Sequence, residues 1–254
     1  YHTEGRALRE LKADIEVLYF FDKLFNENKL LERLGRPDLR FILPELTEEL
    51  YPVLGHVLQP GFGTTTLIDY NLSLAVPRIN VLDGLKDAPI DSYFIMSLQD
   101  DMQSLLVSAE GKLMEKFLES MRRNGFAGWF PRYYSLGDLD HTALFLYRSG
   151  WDAELTAEDA YTDYVHRVFG DACLPEMREA LKLLEANTFV QDADLFAVGF
   201  PYPSLLSGHF DTSRTLSRTV AAPREKLLSC RDTYIQVRSL LRSAREKVIP
   251  EGRG

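Results

Sequence analysis

The chain opens with apolar positions at helical spacing. Leu8, Leu11, Ile15 and Leu18 recur at steps of three and four, and Phe21, Leu24 and Phe25 extend the stripe. Gly35 and Pro37 stop it, which predicts a helix from Arg6 to about Arg33. Arg40-Phe41-Ile42-Leu43 is a short apolar run ending in Pro44-Glu45, and a helix is expected from about Thr47 to Leu58. The same beat then repeats. Gly61-Phe62-Gly63 punctuates, and Thr64 to Ile68 reads as a β-branched strand that ends in Asp69-Tyr70-Asn71. Tyr93-Phe94-Ile95-Met96 forms a third strand, ending in Gln99-Asp100-Asp101. A helix from about Lys112 to Arg123 sets Leu113, Phe117 and Met121 on one face, and Gly125 closes it. Phe126 to Phe130 is the fourth strand, ending in Pro131-Arg132-Tyr133-Tyr134.

Short apolar strands alternating with helices predict an α/β fold with a parallel sheet covered on both faces. The right-handed crossover rule then puts the strands near residues 40–44, 64–69, 92–98 and 126–131 side by side in chain order. After residue 150 the pattern is wholly helical. Thr156-Ala157-Glu158-Asp159 is a capping-box-like start with acids in the first turn, and its helix ends at Phe169-Gly170. Leu174, Met177, Leu181 and Leu184 mark another helix, and Leu227, Tyr234, Val237, Leu241 and Ala244 mark the last, from about Pro223 to Val248. A complete (β/α)8 TIM-type barrel takes about 250 residues for eight strand-helix units. Four strands in the first part therefore read as the C-terminal half of such a barrel, over residues 1–150. An α-helical region follows over 151–254. A small self-contained open sheet is the competing architecture.

Of the 254 residues, 45% are hydrophobic and 26% charged, as in an ordinary globular protein. The formal charge of -9 argues against a nucleic-acid partner, because phosphate binding needs a basic face. No apolar stretch approaches the roughly 18 residues that span a bilayer, so no membrane partner is expected. Cys173 and Cys230, far apart, read as two separate thiols, and the compartment, cytoplasmic or secreted, stays open. The chain starts at Tyr1 without a leader pattern, and a half barrel is expected either to self-associate or to need its missing N-terminal half.

Candidate chemistry gathers where each strand turns polar. Glu45, Asp69 and Asp100 or Asp101 all come at that transition, and barrel enzymes build their sites from the loops at the strands' C-terminal ends. Carboxylates converging there suit a glycosidase, one acting as acid and another as base or nucleophile. The plainer alternatives are a helix-dipole role for Glu45, a loop-ordering role for Asp69 and a solvated turn for Asp100-Asp101. Tyr70 and Asn71 adjoin Asp69 as substrate contacts. Beyond the fourth strand, Arg132, Tyr133, Tyr134, Asp138 and His141 offer stacking faces and hydrogen bonds to a sugar. Here too a core Trp129 beside an exposed Arg132 is the alternative. Asp138-Leu139-Asp140-His141 lacks further ligands for a metal, and helix capping suits its acids better. No metal or cofactor is expected. The Pro-rich connection from Phe196 to Thr219, with Phe200-Pro201-Tyr202-Pro203 and His209-Phe210-Asp211, is either a cover for the barrel mouth or a surface linker. No Gly-x-Gly-x-x-Gly, phosphate loop or Gly-x-Ser-x-Gly elbow occurs, which weakens nucleotide and serine-hydrolase readings.

One stretch carries a family likeness. Gly128-Trp129-Phe130-Pro131-Arg132-Tyr133-Tyr134 leads through a helix to Trp151-Asp152. Thr156-Ala157-Glu158-Asp159-Ala160 and Phe169-Gly170 follow. This run resembles bacterial glycoside hydrolases that are loosely similar to α-glucuronidase and hexosaminidase-type barrels, near their last strand. The resemblance implies that Asp69 and the Gln99-Asp100-Asp101 cluster fall where those barrels carry acidic groups. It also implies a glutamate near Gln99 in related sequences, so the glutamine shifts the role of base to Asp100 or Asp101. The expected function is hydrolysis of a glycosidic bond in a carbohydrate substrate by Asp69 and Asp100, with Glu45 third. The alternative is a barrel that binds or scaffolds carbohydrate without catalysis, which Gln99 favours.

Overall fold

The computed structural model describes residues 4–43, 46–68, 72–86, 88–98, 110–132, 139–194 and 224–249. The fold is mixed α/β, with two compact units. Unit 1 comprises Tyr1–Ile68, Pro77–Met96 and Glu119–Phe130; unit 2 comprises Asp69–Val76, Ser97–Leu118 and Pro131–Gly254.

Four strands form one sheet in chain order: β1 (Ile42–Leu43), β2 (Gly63–Thr66), β3 (Asp91–Ser97) and β4 (Gly128–Arg132). Ile42 lies opposite Gly63, and Gly63 opposite Asp91, in parallel register. The β4 strand joins β3 through Ala127 N–H to Ser92 O (2.8 Å) and Leu98 N–H to Arg132 O (2.9 Å). These bonds advance together along both strands, as parallel pairing requires. The alternation of strand and helix in the sequence thus predicts the pairing and its order. The outer strands are less covered than expected: Ile42 and Phe130 are exposed, while Phe94 and Met96 on β3 are buried. Edge strands have a neighbour on one side only, so their side chains find less cover. β2 is rich in threonine. Thr64 and Thr66 are buried, and Thr66 Oγ1 reaches Tyr93 O at 3.3 Å, so the hydroxyl is satisfied inside the sheet. Gly63 is required where β2 meets β3, because a Cβ there would sit 2.7 Å from Asp91 O.

In unit 1, α1 (Glu4–Phe21) does not run on as one helix to Arg33. It widens into a π turn over Asp22–Glu27, then breaks at Lys29, whose φ of 50° is left-handed, before the short α2 (Leu30–Arg33). Ile15, expected in the core stripe, is half exposed, whereas Leu18 and Phe25 are buried. The Phe25 ring packs against Phe21, Phe41 and Phe62, with centroids 5.2, 5.1 and 5.0 Å away. Side chains supply polar contacts to the widened turn. Gln59 Nε2 donates to Phe25 O (3.1 Å), and Asn26 Nδ2 donates to Val57 O (2.8 Å). A 3₁₀ turn at Glu48–Leu50 leads into α3 (Tyr51–Val57), whose Tyr51 and Leu54 join the same core.

In unit 2, the described elements outside the sheet are helical. They include α4 (Leu72–Ala75), the first part of α5 (Gly111–Arg123), α6 (Asp140–Arg148), α7 (Ala157–Phe169), α8 (Leu174–Asp194) and α9 (Arg224–Lys247). Thr156 caps α7, its Oγ1 accepting Asp159 N–H at 3.1 Å, as the capping signal predicts. Gly170 ends α7 with φ 89°, and a Cβ there would meet Ile249 at 2.7 Å. α8 and α9 share a core of Ala180, Leu184 and Val237, backed by Leu183, Tyr234 and Leu240. Leu240 fills the place expected of Leu241, which is exposed; three residues from Val237 and four from Ala244, it continues the inward stripe. Cys173 and Cys230 are buried free thiols. No described helix is long and apolar enough to cross a membrane.

Candidate functional site

Parallel pairing brings the C-terminal ends of all four strands to one edge of the sheet. At that edge Leu98 N–H donates to Arg132 O, tying the end of β3 to the end of β4. Arg132 is the last residue of β4 and is half buried. Glu45, Asp69, Tyr70, Asn71, Asp100, Asp101, Tyr133, Tyr134, Asp138 and His209 all lie outside the described residues. In sequence, Glu45 follows β1, Asp69 follows β2 and Asp100 follows β3, each within a few residues of the strand's last position.

His141 sits in the first turn of α6 and is 6% exposed. Its ring meets Tyr161 of α7 edge-on, with centroids 4.8 Å apart, and lies 6.2 Å from Tyr164. Burial pulls its pKa down to about 4, against the pull of the Asp140 carboxylate. The imidazole is therefore neutral at pH 7. Among the described residues its Nε2 has no hydrogen-bond partner. Asp140 opens α6 behind Leu139, so it serves the helix's first turn without being its N-cap. Tyr161 is buried as well. Its hydroxyl lies 3.3 Å from Thr142 Oγ1, and burial pushes its pKa upward.

Unit 2 also holds a cleft of about 680 Å³ that the sequence does not announce, lined by Lys112, Glu115, Tyr161, Arg178, Lys182 and Glu185 among others. Glu115 Oε1 accepts the Ala157 N–H at the start of α7 (2.7 Å), and Glu185 Oε1 accepts the Lys112 N–H at the start of α5 (2.6 Å). Each carboxylate thus serves a helix N-terminus from a neighbouring helix, where donors lack partners and the dipole favours negative charge. Burial raises the Glu185 pKa, and the Lys112 N–H opposes that rise. Arg178 pairs with Glu158. Gly111 permits the close approach, since a Cβ there would meet Ala157 Cβ at 2.5 Å and the Tyr161 hydroxyl at 2.6 Å. These contacts join residues far apart in sequence, and no local motif signals them. Two of the cleft's carboxylates, Glu115 and Glu185, are thus engaged in holding helix starts.

No family profile, curated protein or solved structure matches the chain.

Proposed function

We propose that the protein is a glycoside hydrolase whose catalytic carboxylates are Asp69 and Asp100, with Glu45 as the third acid. In this reading the four strands are the C-terminal half of a (β/α)8 barrel and the helices after residue 150 pack as a C-terminal region. The supporting observation is the sheet: four parallel strands end at one edge, and an acid follows each of the first three in sequence. Loops at such an edge converge on one site in barrels and open α/β sheets alike. Two carboxyls held there in unequal surroundings divide into acid and base, because desolvation and like-charge proximity separate their pKa values. A separation of about 5–5.5 Å between them goes with retention at the anomeric carbon, and about 6.5–9.5 Å with inversion. Arg132, Tyr133 and Tyr134 hold the sugar, with Tyr70, Asn71, Asp101, Asp138, His141 and His209 as further contacts. For His141, burial against Tyr161 confines that contribution to shaping the first turn of α6.

A carbohydrate-binding barrel without catalysis is the second reading, favoured by Gln99 next to Asp100. Incubating the protein with a glycan panel and measuring both new reducing ends and retained glycan separates the two. Hydrolysis gives new reducing ends; the binder retains glycan and releases nothing. Neither release nor retention would overturn both.

A further inference from the structure

Trp151 is the most exposed large apolar residue described, at 95%. It stands on the turn between α6 and α7, and that turn is held firmly. Trp151 N–H and Asp152 N–H both donate to Arg148 O (2.9 and 3.0 Å), and Gly150 N–H donates to Tyr147 O (3.2 Å). Arg148 Nη1 in turn donates to Asp163 Oδ2 on α7 (2.7 Å). Downstream, Asp152 Oδ1 accepts the Glu154 N–H (3.1 Å), and the Thr156 cap starts α7. The indole is therefore displayed by an ordered backbone and covered by nothing described.

An exposed indole has two common occupants, a protein and a sugar. A stable protein interface needs about 800 Å² on each side with an apolar centre. Before Trp151 on this turn only Tyr147 adds another exposed large apolar side chain, which is too little for such a centre. Gly150, Asp152, Ala153 and Glu154 are all exposed, and among the described residues neither the Asp152 nor the Glu154 carboxylate has a cationic partner. Asp152 uses only Oδ1 within the turn, which leaves its second oxygen for a ligand hydroxyl. A flat apolar platform, with exposed carboxylates one and three residues further along the same turn, suits a pyranose ring, which has one face of C–H bonds and a rim of hydroxyls. The negative rim favours a neutral sugar over one bearing a carboxylate.

We propose that Trp151, with Asp152 and Glu154 beside it, is a surface-binding site for a neutral sugar ring, additional to the strand-end carboxylates. It rests on the carbohydrate reading above for the class of ligand, but not on the catalytic assignment. Its role is to hold a glycan chain at the protein's surface.

The test uses the full chain and its Trp151→Ala variant with neutral hexasaccharides of glucose, xylose and N-acetylglucosamine, and with a uronic-acid oligosaccharide. Titration calorimetry should show a neutral oligosaccharide binding about tenfold more weakly to the variant. The melting temperature should be unchanged, because the side chain is exposed. The Trp129→Phe variant leaves Trp151 as the only indole, and its emission should shift to the blue on binding. Equal binding by wild type and Trp151→Ala would overturn the proposal. So would wild type binding none of the sugars, or a wild-type dimer that Trp151→Ala dissolves. Failure of the catalytic reading looks different: no new reducing ends, with Trp151-dependent binding intact.

Discussion

The two units are stabilised by different chemistry. Unit 1 is organised around aromatic and aliphatic packing: Phe21, Phe25, Phe41 and Phe62 meet ring to ring beside Leu43, Tyr51 and Leu54. Unit 2 has apolar seams as well, but polar groups fix how its helices meet. Glu115 holds the start of α7, Glu185 holds the start of α5, and Tyr161 buries its hydroxyl against Thr142 beside a neutral His141. Apolar packing is non-directional, so unit 1 responds to lost volume. Directional polar contacts make unit 2 responsive to protonation and to single hydrogen bonds.

The largest effect expected from this contrast is at Phe25. Phe25→Ala removes a buried ring with three aromatic neighbours and should cost about 3–5 kcal/mol, read as a lowered urea midpoint with unchanged slope. A loss below about 1 kcal/mol would mean that the aromatic cluster is not the centre of unit 1.

His141 gives the next effect, through pH. Its folded pKa, about 4, lies below the ordinary 6.5, so the unfolded chain binds the proton more tightly. Its contribution is complete above pH 6.5 and is lost as pH falls towards 4, amounting to about 3 kcal/mol. Asp140 is the charged group that moderates this. His141→Phe should flatten that part of the acid limb in denaturation curves measured from pH 7 to pH 4. An unchanged acid limb would show that the ring reaches water.

The smallest of the three effects belongs to the caps of α7. Glu115→Ala and Thr156→Ala each remove one acceptor for an end N–H, of Ala157 and Asp159 respectively, and each should cost about 1 kcal/mol. The two substitutions touch the same helix end, so a double-mutant cycle tells whether the caps act independently. If Glu115→Ala is silent while Thr156→Ala is not, the long-range cap is decorative, and unit 2 depends on its apolar seams as unit 1 does.

What was legible in the sequence follows the range of the interactions. Strand positions, the Thr156 cap and the Gly125 and Gly170 terminators depend on residues within one turn or one pleat and can be read locally, while the parallel strand order follows from the alternation of strand and helix and the crossover rule. The α1 stripe was misread at Ile15, because helical spacing alone does not say where an inward face ends. It was misread again beyond Phe21, because a π turn changes the period itself. Leu240 and Leu241 are adjacent leucines, and only packing against α8 chooses between them. The Glu115 and Glu185 caps cross 42 and 73 residues, a separation that no local pattern encodes. At the candidate site, the sequence supplied acids after successive strands, and the sheet supplies a common edge for those strands to end on.

The central claim is that Asp69 and Asp100 do the chemistry. Its most direct test is the turnover of Asp69→Asn, Asp100→Asn and Asp101→Asn on a glycan that the wild-type protein cleaves. An amide keeps the shape of the carboxyl but cannot act as acid, base or nucleophile. Asp69→Asn and Asp100→Asn should each lower kcat by about a hundredfold or more while glycan binding holds. Asp101→Asn, at a proposed sugar contact rather than a catalytic acid, should raise KM and leave kcat near normal. Near-normal kcat in both Asp69→Asn and Asp100→Asn would contradict the assignment and make Glu45 the next acid to replace.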